Sequence, residues 1–309
     1  MKMWKRIELH NHTIESDGSM TAAELVDYLE GQGIDAFSLT DHNTISGFTK
    51  LEEKLASHSS RVEFIKGFEL TSYYGHLLCQ NVSNYIPWDD IDEMNGDLLF
   101  LRVHEAGGLA GPAHPFSIPS PFSNGMRWSM KIHDLGLIDF IEVVNNSHPM
   151  DPDNQKAILW WEDLIFSGFN ICPVTGMDLH RPVSMKGFFS TYIFVKEEDS
   201  SLPLSIKLDK AIRTCSACVT KGPVLDWELT QDGLKIFLED SPGHQECSYL
   251  CQLRTREATL TFSLKKEYLL KDITEGILSC KAATLMLFED KTDMSHLTAI
   301  ARPLFFYLQ

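Results

Sequence analysis

Apolar and polar positions along the first two thirds of the chain follow two spacings in turn. Short apolar runs of strand character occur at "RIELHNH", "AFSLTDH", "EFIKGFEL", "HLLCQNV", "GLAGPAHP", "DFIEVVNN" and "ICPVTGMD". Between most of them lie amphipathic stretches such as "TAAELVDYLEGQG", where Ala23, Val26, Tyr28 and Leu29 approximate a 3.6-residue period. Thr21, with Glu24 three residues on, predicts a capping box at the start of that helix, and Gly31 and Gly33 are placed to end it. Seven strands alternating with helices predict an α/β, barrel-like domain over residues 1–221. After "KGPVLDW" the texture changes. "WELTQDGLKIFLED" predicts a hairpin turning at Asp232-Gly233. "EATLTFSLKK", "AATLMLFED" and "RPLFFYLQ" alternate with a period near two, and a short piece near Leu269 to Ile277 is the only helical signal. Residues 222–309 are therefore expected to form a small antiparallel, β-sandwich-like domain.

The length of 309 residues suits one large domain with an appendage, and 43% hydrophobic content supplies a core. No apolar run approaches the ~18 residues of a membrane-spanning helix. "MKMWKRIELHNH" runs straight into polar residues without the apolar segment of a signal peptide, so a cytoplasmic protein is expected. The formal net charge of −16 repels nucleic-acid backbones and acidic membrane surfaces, which argues against a polymer-tracking or membrane-bound module. Small phosphorylated substrates stay open, because bound cations reverse the sign locally. The seven scattered cysteines read as reduced thiols. Cys215-x-x-Cys218 with Cys247-x-x-x-Cys251 has the composition of a four-thiolate zinc site, but "TCSACVT" ends a helix-like stretch and the second pair lies in a polar stretch, and ordinary thiols are the preferred reading.

The polar residues at the strand ends change the picture most. "HNH" supplies His10 and His12, on one face of an extended segment, and "SDG" supplies Asp17. "TDHN" supplies Asp41 and His42, "GFEL" Glu69, "GHLL" His76, "AHP" His114, and "GMDLH" Asp178 and His180. An isolated buried histidine is ordinarily bonded to a carbonyl, so no element decides the matter alone. The set does, because a histidine or carboxylate ends nearly every predicted strand, at the end where barrel active sites gather. Setting Asp41 aside as an orienting carboxylate, mixed nitrogen and oxygen ligands suit Zn, Mn or Fe. Nine ligands exceed the needs of one ion and would serve two or three divalent ions, each keeping an open position for water.

The ordered set "HNH…SDG…TDHNT…GFE…GH…AHP…GMDLH" resembles the polymerase and histidinol phosphatase (PHP) family of metallohydrolases, distorted seven-stranded barrels of the amidohydrolase superfamily, over roughly residues 6–221. "GHLL", "EAGGLAGPAHPF", "IEVVNN" and "SMKGFFSTYIFV" further resemble its carbaryl-hydrolase-like branch of metal-dependent phosphoesterases. The resemblance implies that His10, His12 and Asp178 hold one ion, bridged through Glu69 to a second that His76 and His114 also bind. It implies a third ion on Asp17, His42 and His180. Met177 stands where a Ser is common before the Asp, and Asp17 fills a position that some members give to His.

The expected chemistry is hydrolysis of a small organic phosphate, a nucleotide or sugar phosphate, by metal-activated hydroxide. Two rivals are an esterase or amidase acting on a carbamate or other acyl substrate with the same metals, and a non-catalytic metal module. Asp41 is expected to orient a ligand, and His148 is a candidate general acid. Arg127, Trp128 and Lys131 in "NGMRWSMKIH", with Asn145 and Arg181 beyond strand ends, are candidate substrate contacts. The alternative for that stretch is an ordinary loop around a buried Trp.

Overall fold

The computed structural model describes residues 3–57, 59–119, 121–122, 125–147, 152–239, 248–271 and 280–306. The seven apolar runs become β1 (Met3–Glu8), β2 (Ala36–Leu39), β3 (Glu63–Ser72), β4 (Gly75–Gln80), β5 (Leu109–Pro112), β6 (Phe140–Asn145) and β7 (Cys172–Gly176). Helices α1 (Ala22–Gly31), α2 (Gly47–Ser57), α3 (Asp97–Glu105) and α4 (Pro152–Ser167) lie between them. After β7 come β8 (Ser190–Val195), α5 (Leu204–Arg213) and β9 (Ala217–Thr220). The rest is strand: β10 (Val224–Thr230), β11 (Gly233–Glu239), β12 (Tyr249–Arg254), β13 (Thr259–Leu264), β14 (Glu267–Leu270), β15 (Ala282–Glu289), β16 (Leu297–Ile300) and β17 (Leu304–Phe305).

Helix α1 begins as its sequence predicts. The Glu24 amide donates to Thr21 Oγ1 (3.2 Å) and the Thr21 amide to Glu24 Oε2 (2.8 Å), two otherwise orphaned donors satisfied reciprocally. Gly33 follows with φ +72°, a conformation that favours glycine.

One sheet runs in the order β13-β12-β15-β16-β9-β8-β1-β2-β3-β4-β5, with β17 pairing β15. β6 and β7 pair in parallel apart from it. Among the described residues no ladder joins β5 to β6 or β7 to β8, so the strands make an open mixed α/β sheet rather than a closed ring. A few bonds, most of them involving side chains, cross the gaps instead: the Asp139 amide donates to Ala110 O (3.0 Å) and the Ala110 amide to Asp139 Oδ2 (2.8 Å), while the Thr175 amide donates to the Thr191 hydroxyl and that hydroxyl to Thr175 O (both 2.9 Å). A threonine side chain thus stands where a ladder carbonyl would close the ring.

Strand direction departs from simple alternation as well. β1, β2 and β3 are parallel, but β3–β4 and β4–β5 are antiparallel. Only Tyr73 and Tyr74 separate β3 from β4, far too few residues for a crossover helix, so the chain must fold back as a hairpin. That reversal sets Thr71 opposite His76 and brings "GFEL" and "GHLL" together.

In the C-terminal third the expected hairpin forms, β10 against β11, with Thr230 opposite Gly233. The turn is therefore Gln231-Asp232, one residue earlier than the Asp-Gly pair suggests. Gly233 adopts φ +129°, and a Cβ there would meet Leu270 O at 2.2 Å. Leu269 lies in β14, not a helix, because Glu267–Leu270 completes a ladder with β11; residues 272–279 of the expected helical piece lie outside the described residues. β9 pairs with both β8 and β16, so the large sheet passes continuously across residue 221.

Beneath the strand ends, Ile7, Leu9, Ile65, Leu78, Phe140 and Val174 pack with Leu208 and Ile212 of α5 into an apolar cluster. Cys215 belongs to this cluster, while Cys218 and Cys251 lie in another with Leu225, Leu253 and Leu285. Cys247 lies outside the described residues. No helix among the described residues is long and apolar enough to cross a membrane.

Candidate metal centre

The ends of β1, β2, β3 and β7 are laced together by main-chain bonds just beyond each strand. The His12 amide donates to Leu179 O (2.9 Å) and the Leu179 amide to His10 O (3.1 Å), fixing "HNH" beside "MDLH". The Thr40 amide donates to Asn11 O (2.9 Å) and the Asn43 amide to Glu69 O (3.0 Å). The Ala113 amide donates to His76 O (3.1 Å). Six histidines and three carboxylates scattered over 171 positions (10 to 180) therefore converge on one place.

Glu69 is the hub. Its Oε1 lies 2.9 Å from His76 Nδ1 and 3.2 Å from His114 Nε2. Its Oε2 lies 2.9 Å from His42 Nδ1, 3.3 Å from His10 Nε2 and 3.5 Å from His12 Nε2. Asp178 Oδ1 stands 3.2 Å from His12 Nε2, and 3.4 Å from both His10 Nε2 and His180 Nδ1. Asp17 Oδ1 approaches His180 Nε2 (3.3 Å), His42 Nε2 (3.7 Å) and His12 Nδ1 (3.9 Å). Four overlapping groups have donor atoms within 4.8 Å of one another: His10, His12 and Asp178; His10, Glu69 and His114; His42, Glu69 and His76; His12, Asp17, His42 and His180.

His10, His12 and Glu69 are fully buried. His10 Nε2, both nitrogens of His12 and Glu69 Oε2 nonetheless have no hydrogen-bond partner. Buried polar atoms are ordinarily satisfied, so His10 Nε2, His12 Nε2 and Glu69 Oε2 orphaned side by side, with His12 Nδ1 turned toward Asp17, describe a cradle for cations. The donor set of imidazole and carboxylate suits a divalent ion. Backbone strain gathers here too: His114 and Asp178 have φ of 27° and 49°, a region that non-glycine residues occupy at a cost of about 1–3 kcal/mol.

Electrostatics agree. Although burial opposes charge on both sides, the histidines hold the Glu69 and Asp178 carboxyls well below the usual range, and those carboxylates lift His10 well above its own. His114 is raised to about 9 against burial, chiefly by its bond to Glu69. Burial pushes His12 and His76 down. Bound protons thus compensate the carboxylates, and a metal ion taking their place would release them.

Two buried carboxyls that the sequence did not single out support the donors. Glu142 Oε1 accepts His10 Nδ1–H (3.0 Å), which assigns Nε2 to the centre, while Oε2 accepts the His114 amide (2.7 Å). Glu8 Oε1 accepts the amides of His10 (3.1 Å) and Met177 (2.8 Å), and its Oε2 is unsatisfied. Burial raises the Glu8 carboxyl from 4.5 to about 7. The folded protein binds that proton more tightly than the unfolded chain, so the resulting stability is complete below about pH 4.5 and lost as pH rises through 7, on the order of 3 kcal/mol. Glu8→Gln, neutral throughout, is expected to flatten this slope in chelator-treated protein. Denaturant midpoints at pH 4.5, 6 and 8 check it; parallel curves for parent and variant would refute it.

Asp41 acts differently from expectation. Its Oδ1 accepts the Thr13 amide (2.6 Å) and Ser16 hydroxyl (2.7 Å), and Oδ2 accepts the Thr13 hydroxyl (2.7 Å). It shapes the turn that presents Asp17 rather than holding a histidine. Arg127 donates to the carbonyls of Ser117 (3.1 Å) and Phe116 (3.4 Å), and Trp128 Nε1 to Met130 O (2.9 Å), with its ring against Phe100. Lys131 is exposed, its amide bonded to Glu93 O, and Arg181 is exposed beside His180. None of these four lines the cavity of about 300 Å³ that opens from the centre. Asn145 does, bonded through Nδ2 to Glu142 and Asp178 (both 3.2 Å), together with Phe116, Ile118, Met126, Ser147 and Asn154. His148 lies outside the described residues.

Parts of the chain are similar to known proteins. A 5'-3' exoribonuclease of Haemophilus influenzae is 36% identical over 70 residues, 23% of this chain and 25% of that protein. An uncharacterised protein of Methanocaldococcus jannaschii is 31% identical over 117 residues, 38% of this chain and 61% of that one. The chain thus spans a quarter and about three fifths of the lengths of these relatives. A crystal structure from Bacteroides vulgatus, of a two-domain protein described as containing a PHP-like metal-dependent phosphoesterase, shares the fold at 16% identity and a TM-score of 0.58, covering 98% of this chain and 96% of that one. Residues 8–94, which carry the donors from His10 through His76, match the family model of the PHP domain.

Proposed function

We propose that this chain is a metal-dependent phosphoesterase acting on a small organic phosphate. The observation that carries the proposal is the set of orphaned buried atoms, His10 Nε2, His12 Nδ1 and Nε2 and Glu69 Oε2, within a cluster of nine imidazole and carboxylate donors. His10, His12 and Asp178 would hold one divalent ion, and Glu69 would share it with a second held by His76 and His114. Asp17, His42 and His180 would hold a third. Zn, Mn and Fe all suit these donors. Ions so held lower the pKa of bound water and supply hydroxide at neutral pH.

The chain's own residues orient and shape. Glu142 and the Met126 carbonyl (3.0 Å) each engage Nδ1, of His10 and His114, and so direct the opposite nitrogen inward. Asn145 presents its amide where the cavity meets Asp178. Phe116, Ile118 and Met126 offer an apolar wall for the organic part of a substrate. We read residues 1–221 as an opened form of the distorted seven-stranded PHP barrel within the amidohydrolase superfamily, of the carbaryl-hydrolase-like branch, and residues 222–309 as its small β domain. We further propose a cytoplasmic enzyme with small-molecule rather than polymeric or membrane-bound substrates.

Product analysis tests the reaction class. Metal-loaded protein is expected to release inorganic phosphate from nucleotide or sugar phosphates. Release of carboxylate or amine from acyl esters and carbamates, with no phosphate from any phosphoester including a 5'-phosphorylated oligoribonucleotide, would contradict it.

A further inference from the structure

Away from the metal centre lies a groove of about 420 Å³ with an unusual lining. Arg6, Lys186 and Lys221 border it, and no Asp or Glu does, in a chain with 43 acidic against 27 basic residues. Its floor is one face of the sheet: Arg6 stands opposite Tyr192 in the β1–β8 ladder, with Ser190 two residues along. One wall is the loop that leads from His180 to β8, and the other is the passage from β9 to β10. The groove therefore sits where the metal-bearing part meets the strands that follow residue 221.

None of the three cations forms an ion pair within 4 Å among the described residues, although Glu289 acts on Lys221, and Glu8 on Arg6, from farther away. Arg6 Nε donates to the Ser190 hydroxyl (2.9 Å) and Nη1 to Gln32 O (2.8 Å), both neutral acceptors. Nearby Asp35 is taken up by Lys5 Nζ and the Arg6 amide, each at 2.8 Å. Neither Lys186 nor Lys221 forms an ion pair among the described residues, and Lys221 Nζ lies 4.9 Å from the Phe189 ring centroid. Burial pushes the Lys221 ammonium down. A guanidinium fixed by neutral partners, with Nη2 left over, and two ammoniums outside any close ion pair can together supply charge-assisted donors to a tetrahedral oxyanion.

We propose that this groove binds a phosphate-type dianion, either free inorganic phosphate or the phosphoryl group of a small organic phosphate. The proposal is independent of what the metal centre does.

The test is local to the lysines. Intact, metal-loaded protein is acetylated at matched ionic strength with no addition, with inorganic phosphate, or with phenylphosphonate, which cannot be hydrolysed, and each lysine is followed by mass spectrometry. Lys186 and Lys221 are expected to be slowed roughly threefold or more while Lys54, paired with Asp27, is not. Protection by both ligands assigns the site to a free phosphate; protection by phenylphosphonate alone assigns it to an organic phosphate. The K186A and K221A single variants should raise the half-saturating concentration, read on the remaining lysine, about tenfold. Equal acetylation rates at Lys186 and Lys221 with and without either ligand would overturn the proposal, as would slowing spread equally over all lysines.

Discussion

Glu69→Gln is expected to abolish turnover while leaving the fold intact. Five histidine nitrogens lie within 3.5 Å of its two oxygens, so a neutral amide there both removes an anion and turns an N–H toward an imidazole. Loss of a carboxylate that merely orients a ligand costs about 10–100-fold in metal affinity or activity, so the loss at the hub should exceed about a hundredfold. The apolar clusters that hold the sheet do not include Glu69, and the circular dichroism spectrum should match that of the parent. Initial rates and ion content of the purified variant check this. Parental turnover in Glu69→Gln would remove the shared carboxylate from the account.

Gly176→Ala should strike the same centre through the backbone. A Cβ at this position would meet His10 Cβ at 2.3 Å, Glu142 Oε1 at 3.0 Å and the His10 amide nitrogen at 3.1 Å. The His10 atoms belong to or adjoin the backbone, and Glu142 Oε1, though a side-chain end, is held by His10 Nδ1, so His10 and its bond to Glu142 must shift together. Overpacking of this kind costs about 1–3 kcal/mol, and here it also displaces a donor. The expected result is a lower denaturant midpoint in chelator-treated protein and a loss of bound metal in the purified variant. An unchanged midpoint with parental ion content would show that the strand end yields without moving His10.

What could be read beforehand was local. The donors of the centre stand in short segments that a period of two and a turn residue delimit, and the capping box of α1 and the β10–β11 hairpin depend on residues two to three apart. Glu142 and Glu8 escaped notice because their significance is long-range. Each is the single acidic residue of its strand, and partners of Glu142 and Glu8 lie 132 positions away at His10 and 169 at Met177. The signal was present, since a carboxyl in the middle of "FIEVV" needs a buried partner, but the sequence does not say which. Arg127 and Trp128 illustrate the converse. Their residue types suit substrate recognition, yet the fold turns their polar atoms onto the carbonyls of Phe116, Ser117 and Met130. The open path between β5 and β6 was likewise illegible, because neighbouring apolar runs do not reveal which ladders close.

Elemental analysis of protein purified without chelators tests the central claim most directly. About two to three equivalents of Zn, Mn or Fe per chain are expected, falling together with activity when Glu69 is replaced. Fewer than about one equivalent, persisting after reconstitution with each metal, would contradict a multi-ion hydrolase built on these nine residues.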